Sequence, residues 1–198
     1  MKTPDMIDLL FDLRGETLPA AYPFALWEAL LAHVPQLAEN EHVGVLPLKA
    51  AENDDHVLLP KRVKLAIRLP PHMVAAASVL EGKQLDVAGS ILSLGAAKAR
   101  ALQAYPTLHA KLAQGAEDET DFLQVVQAHF AALEISAKTI CGKRNTLNDG
   151  RQTISGFSLV VHDLKPEASL RLQCAGMGEV KRFGCGIFMP YKSISDLE

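Results

Sequence analysis

The sequence has few cysteines, and those present form no recognisable set. Three occur in 198 residues, Cys141, Cys174 and Cys185, and no two make a C-x-x-C pair. An odd number without that spacing argues against a disulfide framework and a structural zinc site. The seven histidines include no His-x-x-x-His pair, which leaves a metal centre without support. We therefore expect a protein of a reducing compartment, the cytoplasm, that needs no cofactor.

Long hydrophobic runs are also missing. No apolar stretch approaches the roughly 18–20 residues that a membrane span needs. The first residues, Met1-Lys2-Thr3-Pro4-Asp5, lead into no hydrophobic signal segment. With 48 % hydrophobic and 22 % charged residues, the chain is expected to bury one sizeable core or two small ones. We expect no association with a membrane.

Positive charge and aromatic residues are scarce as well. The formal net charge is −3 and aromatics make up 6 % of the chain, so neither a strongly basic surface nor a run of base-stacking aromatics is indicated. The charge is unevenly spread, however. From Ser136 onward nine Lys and Arg face six Asp and Glu, whereas the preceding part has eleven against seventeen. A local basic face in the second half is therefore possible, since phosphate binding depends on local charge.

Hydrophobic periodicity in the first half predicts the order β-α-β-β-α-β. The elements are strand 5–13, helix 22–37, strands 43–48, 56–59 and 63–69, a short helix 70–80, and a strand 84–94 bent at Gly89. The helix has a proline in its first turn and another near its end, as expected for these positions.

The second half predicts the same order again. Its elements are strand 105–112, helix 121–133, strands 137–143 and 156–164 joined by the polar stretch 144–151, a short helix 166–174, and a last strand 187–190. Two such runs of about 100 residues are typical of tandem ferredoxin-like units. We predict an α+β protein with two ferredoxin-like (RRM-like) domains, 1–100 and 101–198, that meet near residues 96–104.

A glycine-rich segment near the C-terminus carries the most specific signal. Residues 176–186 read G-h-G, five residues that include Lys181 and Arg182, and G-h-G again. Glycine allows backbone N–H groups to approach a phosphate closely because no Cβ blocks the approach. The spacing is neither a Walker motif nor a dinucleotide fingerprint. The pattern predicts a clamp for a polyanion, made by Gly176, Gly178, Gly184 and Gly186 with the two cations; the alternative is a mobile surface loop.

This motif, followed by Phe188 and Pro190, resembles the C-terminal glycine-rich motif of the Cas6 family of CRISPR repeat-processing endoribonucleases, in the RAMP superfamily. The match is complete over eleven residues, and the remainder of the chain agrees in layout. The resemblance implies two RRM-like domains side by side. It also implies metal-independent cleavage of CRISPR repeat RNA by 2′-hydroxyl attack, which leaves a 2′,3′-cyclic phosphate and a 5′-hydroxyl. The crRNA hairpin would then be held within an effector complex that contains other subunits.

Histidine suits such chemistry because it titrates near neutrality and can serve as acid or base. The resemblance implies a histidine on or just after the first helix. His33 fits that position, and His42, just before the next strand, is the second candidate. Relatives can carry histidine where this chain has Ala38, so either His33 or His42 would have taken over, or the protein would bind its RNA with little or no cleavage. Tyr22 is a third candidate, as a donor or orienting group, although packing at the helix start is the alternative.

Cations outside the glycine motif form two further groups. Lys64 and Arg68 lie on the strand 63–69 and could bind RNA or form a solvated strand face. Lys143, Arg144 and Arg151 flank the predicted hairpin loop of the second domain. Such a loop could enter the groove of an RNA stem, where A-form RNA is recognised mainly by shape and phosphate contacts; an ordinary solvated loop is the alternative.

Two other functions remain open from the sequence. The chain could be a catalytically weak or inactive RNA-binding or assembly subunit of the same complex. It could also be a two-domain enzyme that uses the glycine loop for a small phosphate ligand.

Overall fold

The computed structural model describes residues 4–52 and 55–191, which fall into two units. The N-terminal unit comprises residues 5–101 together with Arg182–Gly184. The C-terminal unit comprises Pro4 and residues 102–181 and 185–191. None of the helices within the described residues combines the length and the apolar character that crossing a membrane would require.

The N-terminal unit is built on a five-stranded antiparallel sheet of order β3-β6-β1-β8-β7. Its elements are β1 (Ile7–Arg14), β2 (Thr17–Pro19), α1 (Tyr22–His33), β3 (Gly44–Val45), β4 (Ala51–Glu52), β5 (His56–Leu58), β6 (Lys64–Leu69), α2 (Val74–Ala77), β7 (Gln84–Val87) and β8 (Ser90–Ala101). Without β7, the order of the sheet is that of a ferredoxin-like fold. This part of the α+β prediction is confirmed.

Two details of the predicted first half are wrong. The strand expected over 84–94 is a hairpin, because Ala88 and Gly89 both adopt positive φ, 51° and 84°, as a tight two-residue turn requires. Its second strand, β8, runs on to Ala101. The helix expected to reach Leu37 ends at His33, because Val34 precedes a proline and is not helical (φ −137°, ψ 74°). A 3₁₀ turn, Pro35–Glu39, follows.

A second, small sheet in this unit was not anticipated. It joins β2, β5 and β4 in the order β2-β5-β4, so the predicted strand 56–59 pairs with Thr17–Pro19 rather than within the main sheet.

The main sheet of the N-terminal unit has one apolar and one charged face. Leu9 and Phe11 of β1 are buried with Leu65 and Ile67 of β6. On the opposite face, Asp8 lies directly across from Arg68. Both are buried, 2 % and 4 % exposed, and Arg68 Nε donates to Asp8 Oδ1 at 2.8 Å.

The C-terminal unit contains a four-stranded antiparallel sheet of order β10-β11-β9-β12. Its elements are β9 (Leu108–Gln114), α3 (Glu119–Ala132), β10 (Lys138–Asn148), β11 (Thr153–His162), α4 (Pro166–Ala175) and β12 (Met189–Pro190). Asp118 caps α3, because its carboxylate accepts the Thr120 N–H at 2.8 Å. Phe122 and Val126 of that helix are fully buried against the strands. The second ferredoxin-like order is confirmed.

The hairpin of this unit is longer than the sequence suggested. Strands β10 and β11 pair from Lys138 and His162 to Asn148 and Thr153, which leaves only residues 149–152 as the loop. The prediction that Arg144 opens a polar loop is therefore wrong. Residues 144–148 show no apolar–polar alternation that would identify a strand, because most of them are exposed and carry polar side chains.

The buried Asp8–Arg68 pair yields a stability prediction. Asp8→Ala would leave Arg68 buried without its counter-charge and should lower the free energy of unfolding by about 3–5 kcal/mol. Asp12, four residues along the same strand, pairs with Lys64 on the surface, so Asp12→Ala should cause no measurable change. Urea unfolding followed by the fluorescence of Trp27, the only tryptophan of the chain and part of α1, would compare the two. Equal stability of both variants would contradict the assigned importance of the buried pair.

Candidate nucleic-acid interface

The glycine-rich segment begins where α4 ends. Gly176 follows the helix with φ 62° and ψ −158°, a conformation that is essentially restricted to glycine. Gly178, Gly184 and Gly186 also have positive φ, between 70° and 79°. All four glycines of the motif are thus required by the backbone.

The two G-h-G pairs close the segment into a ring. The Met177 N–H donates to Gly186 O at 2.8 Å, and the Gly186 N–H donates to Leu112 O on β9 at 2.6 Å. A Cβ on Gly186 would lie 1.7 Å from Met177 O, so no side chain fits there. These N–H groups are used within the protein, in contrast to the expected role of approaching a phosphate. Gly178, by comparison, is exposed.

The two cations of the loop differ in their surroundings. Lys181 folds back: its Nζ donates to Gly178 O at 3.0 Å, and a Cβ on Gly176 would lie 2.7 Å from its Cδ. Arg182 is exposed, with its guanidinium carbon 4.9 Å from the centre of the Phe183 ring. A cation held over an aromatic face keeps a preferred orientation. Arg182 is therefore the cation that the loop offers to solvent.

The triplet Arg182–Gly184 packs within the N-terminal unit. The Phe183 ring lies 4.8 Å from the ring of Phe24 on α1, centre to centre. A Cβ on Gly184 would lie 3.2 Å from Pro47 Cγ and 3.3 Å from Val45 O. The triplet thus contacts α1 and the end of β3, the two elements beside which the candidate histidines lie.

His33 is the last residue of α1 and is exposed. Its side chain has no hydrogen-bond or ion-pair partner within residues 4–52 and 55–191. Ala38, where relatives can carry histidine, is exposed in the following 3₁₀ turn.

His42 is more constrained. Its side chain is 30 % exposed, and Nε2 lies 3.8 Å from Glu41 Oε1. Its N–H donates to Asn40 Oδ1 at 2.9 Å, which fixes the turn before β3. Its Nδ1 atom is buried and has no hydrogen-bond partner among the described residues. A buried polar atom left unpaired costs stability and is uncommon outside sites with a function.

Tyr22 is 5 % exposed at the start of α1, and its hydroxyl accepts the Leu48 N–H at 3.0 Å. This bond ties the helix start to the segment after β3. The structure favours the packing alternative for Tyr22 over a role as proton donor.

Of the two strand cations, only Lys64 is on the surface, where it pairs with Asp12. Arg68 is committed to Asp8 through two hydrogen bonds, 2.8 Å and 3.3 Å. Its burial does not support the predicted contact with RNA. The alternation of residues along the strand could not reveal that Arg68 is buried, because its partner Asp8 lies 60 residues away in sequence.

Three cations on the same face of the sheet were missed. Arg100 and Lys98 of β8 lie opposite Asp8 and Leu10, and Arg14 lies at the end of β1. All three are exposed. The alternation of Lys98 and Arg100 in the segment AAKARA is the signal that could have found them, but the strand was predicted to end at Leu94.

The hairpin cations occupy different positions from those predicted. Lys143 lies in an irregular step of β10, and Arg144 donates to Glu117 O at 3.1 Å. Only Arg151 lies in the loop. The loop is ordered by Asp149, whose carboxylate accepts the N–H groups of Arg151 and Gln152; these bonds hold the pKa of Asp149 below its ordinary value.

Cys185, inside the glycine motif, is buried, and burial raises the pKa of its thiol to about 11. The positive charge of Lys111 lowers this pKa, but by less than burial raises it. A thiol with this pKa is protonated at neutral pH and is a poor nucleophile.

Both units are ferredoxin-like, and the closed glycine-rich segment follows α4. The Cas6 CRISPR family model matches residues 7–193. The CRISPR-associated endonuclease Cas6 of Myxococcus xanthus (strain DK1622) is 35 % identical over 186 residues, 93 % of this chain and 81 % of that protein. The chain belongs to the Cas6 family.

Solved structures agree in fold. A RAMP protein described as binding different RNA substrates superposes with a TM-score of 0.67 at 14 % identity, covering 94 % of this chain and all of the other. A Cas6-related protein from Pyrococcus furiosus superposes with a TM-score of 0.64 at 12 % identity, covering 95 % of this chain and 99 % of the other. Cse3 of Thermus thermophilus, bound to an RNA that represents a pre-cleavage complex, superposes with a TM-score of 0.57 at 14 % identity. The match covers 95 % of this chain and all of the other.

Ring closure by the glycine pairs can be tested with two matched variants. Gly186→Ala and Gly178→Ala both place a side chain at positive φ, but only the first meets the Met177 carbonyl; the second has its nearest neighbour, Gln114 Cβ, at 3.9 Å. Gly186→Ala should therefore destabilise the protein by about 1–3 kcal/mol more than Gly178→Ala. Chemical unfolding followed by circular dichroism measures the difference. The same loss in both variants would mean that backbone strain alone, and not the closed ring, requires the glycines.

Proposed function

We propose that the chain is an endoribonuclease that cleaves precursor CRISPR RNA within its repeat, by metal-independent attack of a 2′-hydroxyl on the adjacent phosphate. The 2′-oxygen forms a bond to phosphorus while the bond from phosphorus to the 5′-oxygen breaks. A base takes the proton of the 2′-hydroxyl, and an acid gives a proton to the leaving oxygen. The products carry a 2′,3′-cyclic phosphate and a 5′-hydroxyl. The protein then retains the hairpin-bearing guide RNA within an effector complex.

The observation that carries this proposal is the packing of the Arg182–Gly184 triplet. Phe183 contacts α1, which ends at His33, and Gly184 contacts Val45, three residues after His42. An exposed guanidinium, which can bind phosphate through two parallel hydrogen bonds, is thereby joined to the elements that carry the two candidate acid–base groups. Membership of the Cas6 family supports RNA as the ligand.

His42 is the stronger catalytic candidate. Val45 lies three positions after it in the chain, so their Cα atoms are at most about 10 Å apart. His33 lies nine helical residues after Phe24, about 13.5 Å along the axis. His42 is also held by a turn and has a buried, unpaired Nδ1, whereas His33 is exposed at a helix end. We assign proton transfer to His42 first and to His33 second.

The β10–β11 hairpin supplies the second RNA contact of the proposal. Its loop, residues 149–152, is exposed and ordered by Asp149, and Arg151 lies within it. An exposed hairpin end that carries an arginine is suited to contact phosphates of an A-form stem. Lys143, exposed on β10, would extend that contact along the strand.

Arg182→Ala should weaken binding of the repeat RNA and lower the slope of log K against log salt by about one, because one phosphate contact is lost. Lys83→Ala removes one charge from an exposed turn of the same unit and should leave the slope unchanged. Fluorescence anisotropy with labelled repeat RNA at several salt concentrations measures both. An unchanged slope for Arg182→Ala would remove this residue from the interface.

His42→Ala should lower the single-turnover cleavage rate by roughly 10²–10⁴-fold while RNA affinity stays near normal, because only proton transfer is lost. His72→Ala, an exposed histidine of the same unit, is the matched control and should cleave normally. The assay uses repeat RNA from the protein's own locus in the presence of EDTA.

The same assay separates the alternatives. If His33→Ala slows cleavage and His42→Ala does not, proton transfer belongs to the helix end. If wild-type protein binds tightly and never cleaves, the chain is an RNA-binding or assembly subunit. Binding of a small phosphate ligand without RNA affinity would instead indicate a two-domain metabolic enzyme.

A further inference from the structure

A histidine outside the candidate catalytic group contacts the glycine loop directly. His129 lies in the last turn of α3, and its Nε2 is 2.6 Å from the carbonyl oxygen of Gly176. A carbonyl oxygen can only accept, so Nε2 carries the hydrogen and His129 is the donor. Both residues belong to the C-terminal unit. Neither the motif nor the family resemblance had drawn attention to His129.

The peptide that His129 holds is the first hinge of the loop. Its carbonyl, on Gly176, accepts from His129, while its N–H, on Met177, donates to Gly186 at 2.8 Å. This peptide follows a glycine, which restricts rotation less than any other residue. Rotation of the peptide would break the pairing of Met177 with Gly186 and open the ring. The His129 bond opposes that rotation from the other end.

The backbone that carries His129 is itself fixed. Arg171 of α4 donates to Leu133 O, just after the end of α3, at 2.6 Å. Phe130, the neighbour of His129, is buried in the core of the unit. The imidazole therefore has a fixed point of attachment on α3, and α4 leads directly into Gly176.

We propose that His129 is a positioning residue: by holding the Gly176–Met177 peptide it keeps the loop closed and holds Lys181, which donates to Gly178 O in the same unit, in the geometry that binds RNA. It contacts no RNA itself. The RNA part of this inference rests on the proposed function, whereas the loop part does not. The role needs the N–H group of residue 129 and not the charge of the imidazole.

The test compares His129→Phe, which keeps a ring and removes the donor, with His129→Gln, whose amide can donate from a similar position. Hydrogen exchange of the Met177 and Gly186 amides is measured by NMR on the full chain, alongside affinity for the repeat RNA. His129→Phe should speed exchange of these two amides and weaken RNA binding by about three- to tenfold, the usual worth of one hydrogen bond. His129→Gln should restore both. Exchange of amides within β10 and β11 should not change.

Unchanged amide exchange in His129→Phe would overturn the proposal. Equally fast exchange and equally weak RNA binding in His129→Phe and His129→Gln would also overturn it, because the packing of the imidazole ring and not its N–H donor would then hold the loop. Should His129→Phe fail to fold, His129→Met serves as the variant without a donor. If wild-type protein binds no RNA, the proposed function fails, yet the exchange measurement still decides whether His129 holds the loop.

Discussion

The candidate site depends on one backbone pairing, that of Met177 with Gly186. It joins the two G-h-G pairs, and the approach is so close that glycine is required at position 186. The pairing brings the two ends of the segment together within the C-terminal unit. Lys181 folds back onto this loop, and Arg182 is left exposed on its surface. The glycines therefore act as structural elements of the segment, because their positive φ values and the close approach at Gly186 exclude other residues.

The triplet Arg182–Gly184 and the two candidate histidines belong to the same unit. Residues 182–184 are distant in sequence from α1 and β3, but Phe183 and Gly184 pack on those elements within the N-terminal unit. This packing is the basis for the proposal that Arg182 binds the phosphate on which the candidate histidines act. His42, with its turn fixed by Asn40 and its unpaired Nδ1, is the group whose local structure is best suited to that task.

The sequence predicted element types well where the periodicity was strong. Helices α1, α3 and α4 and the order of strands in both halves follow from apolar spacing and proline positions. It failed where exposed strands carry mixed polar residues, as in β10 beyond Lys143 and β8 beyond Leu94. These strand extensions are held by hydrogen bonds to a neighbouring strand. The local sequence does not show which strand that is. The turn at Ala88 was missed because alanine seldom adopts positive φ.

The site was predicted in part. The glycine motif indicated the loop, yet it did not reveal that the Gly186 N–H donates to Leu112 O of a distant strand. The role of Arg68 was misjudged because its buried partner, Asp8, is far away in sequence. His129 carried no signal at all, since a single histidine near a helix end is ordinary. Contacts between distant segments account for each of these cases.

The most direct test of the account replaces one hydroxyl of the substrate. Repeat RNA with a single 2′-deoxy nucleotide immediately 5′ of the cut should bind with unchanged affinity and resist cleavage in EDTA. Unmodified RNA should be cut under the same conditions and yield a 2′,3′-cyclic phosphate end. Cleavage of the deoxy substrate, or a product with a 3′-hydroxyl end, would contradict attack by the 2′-hydroxyl.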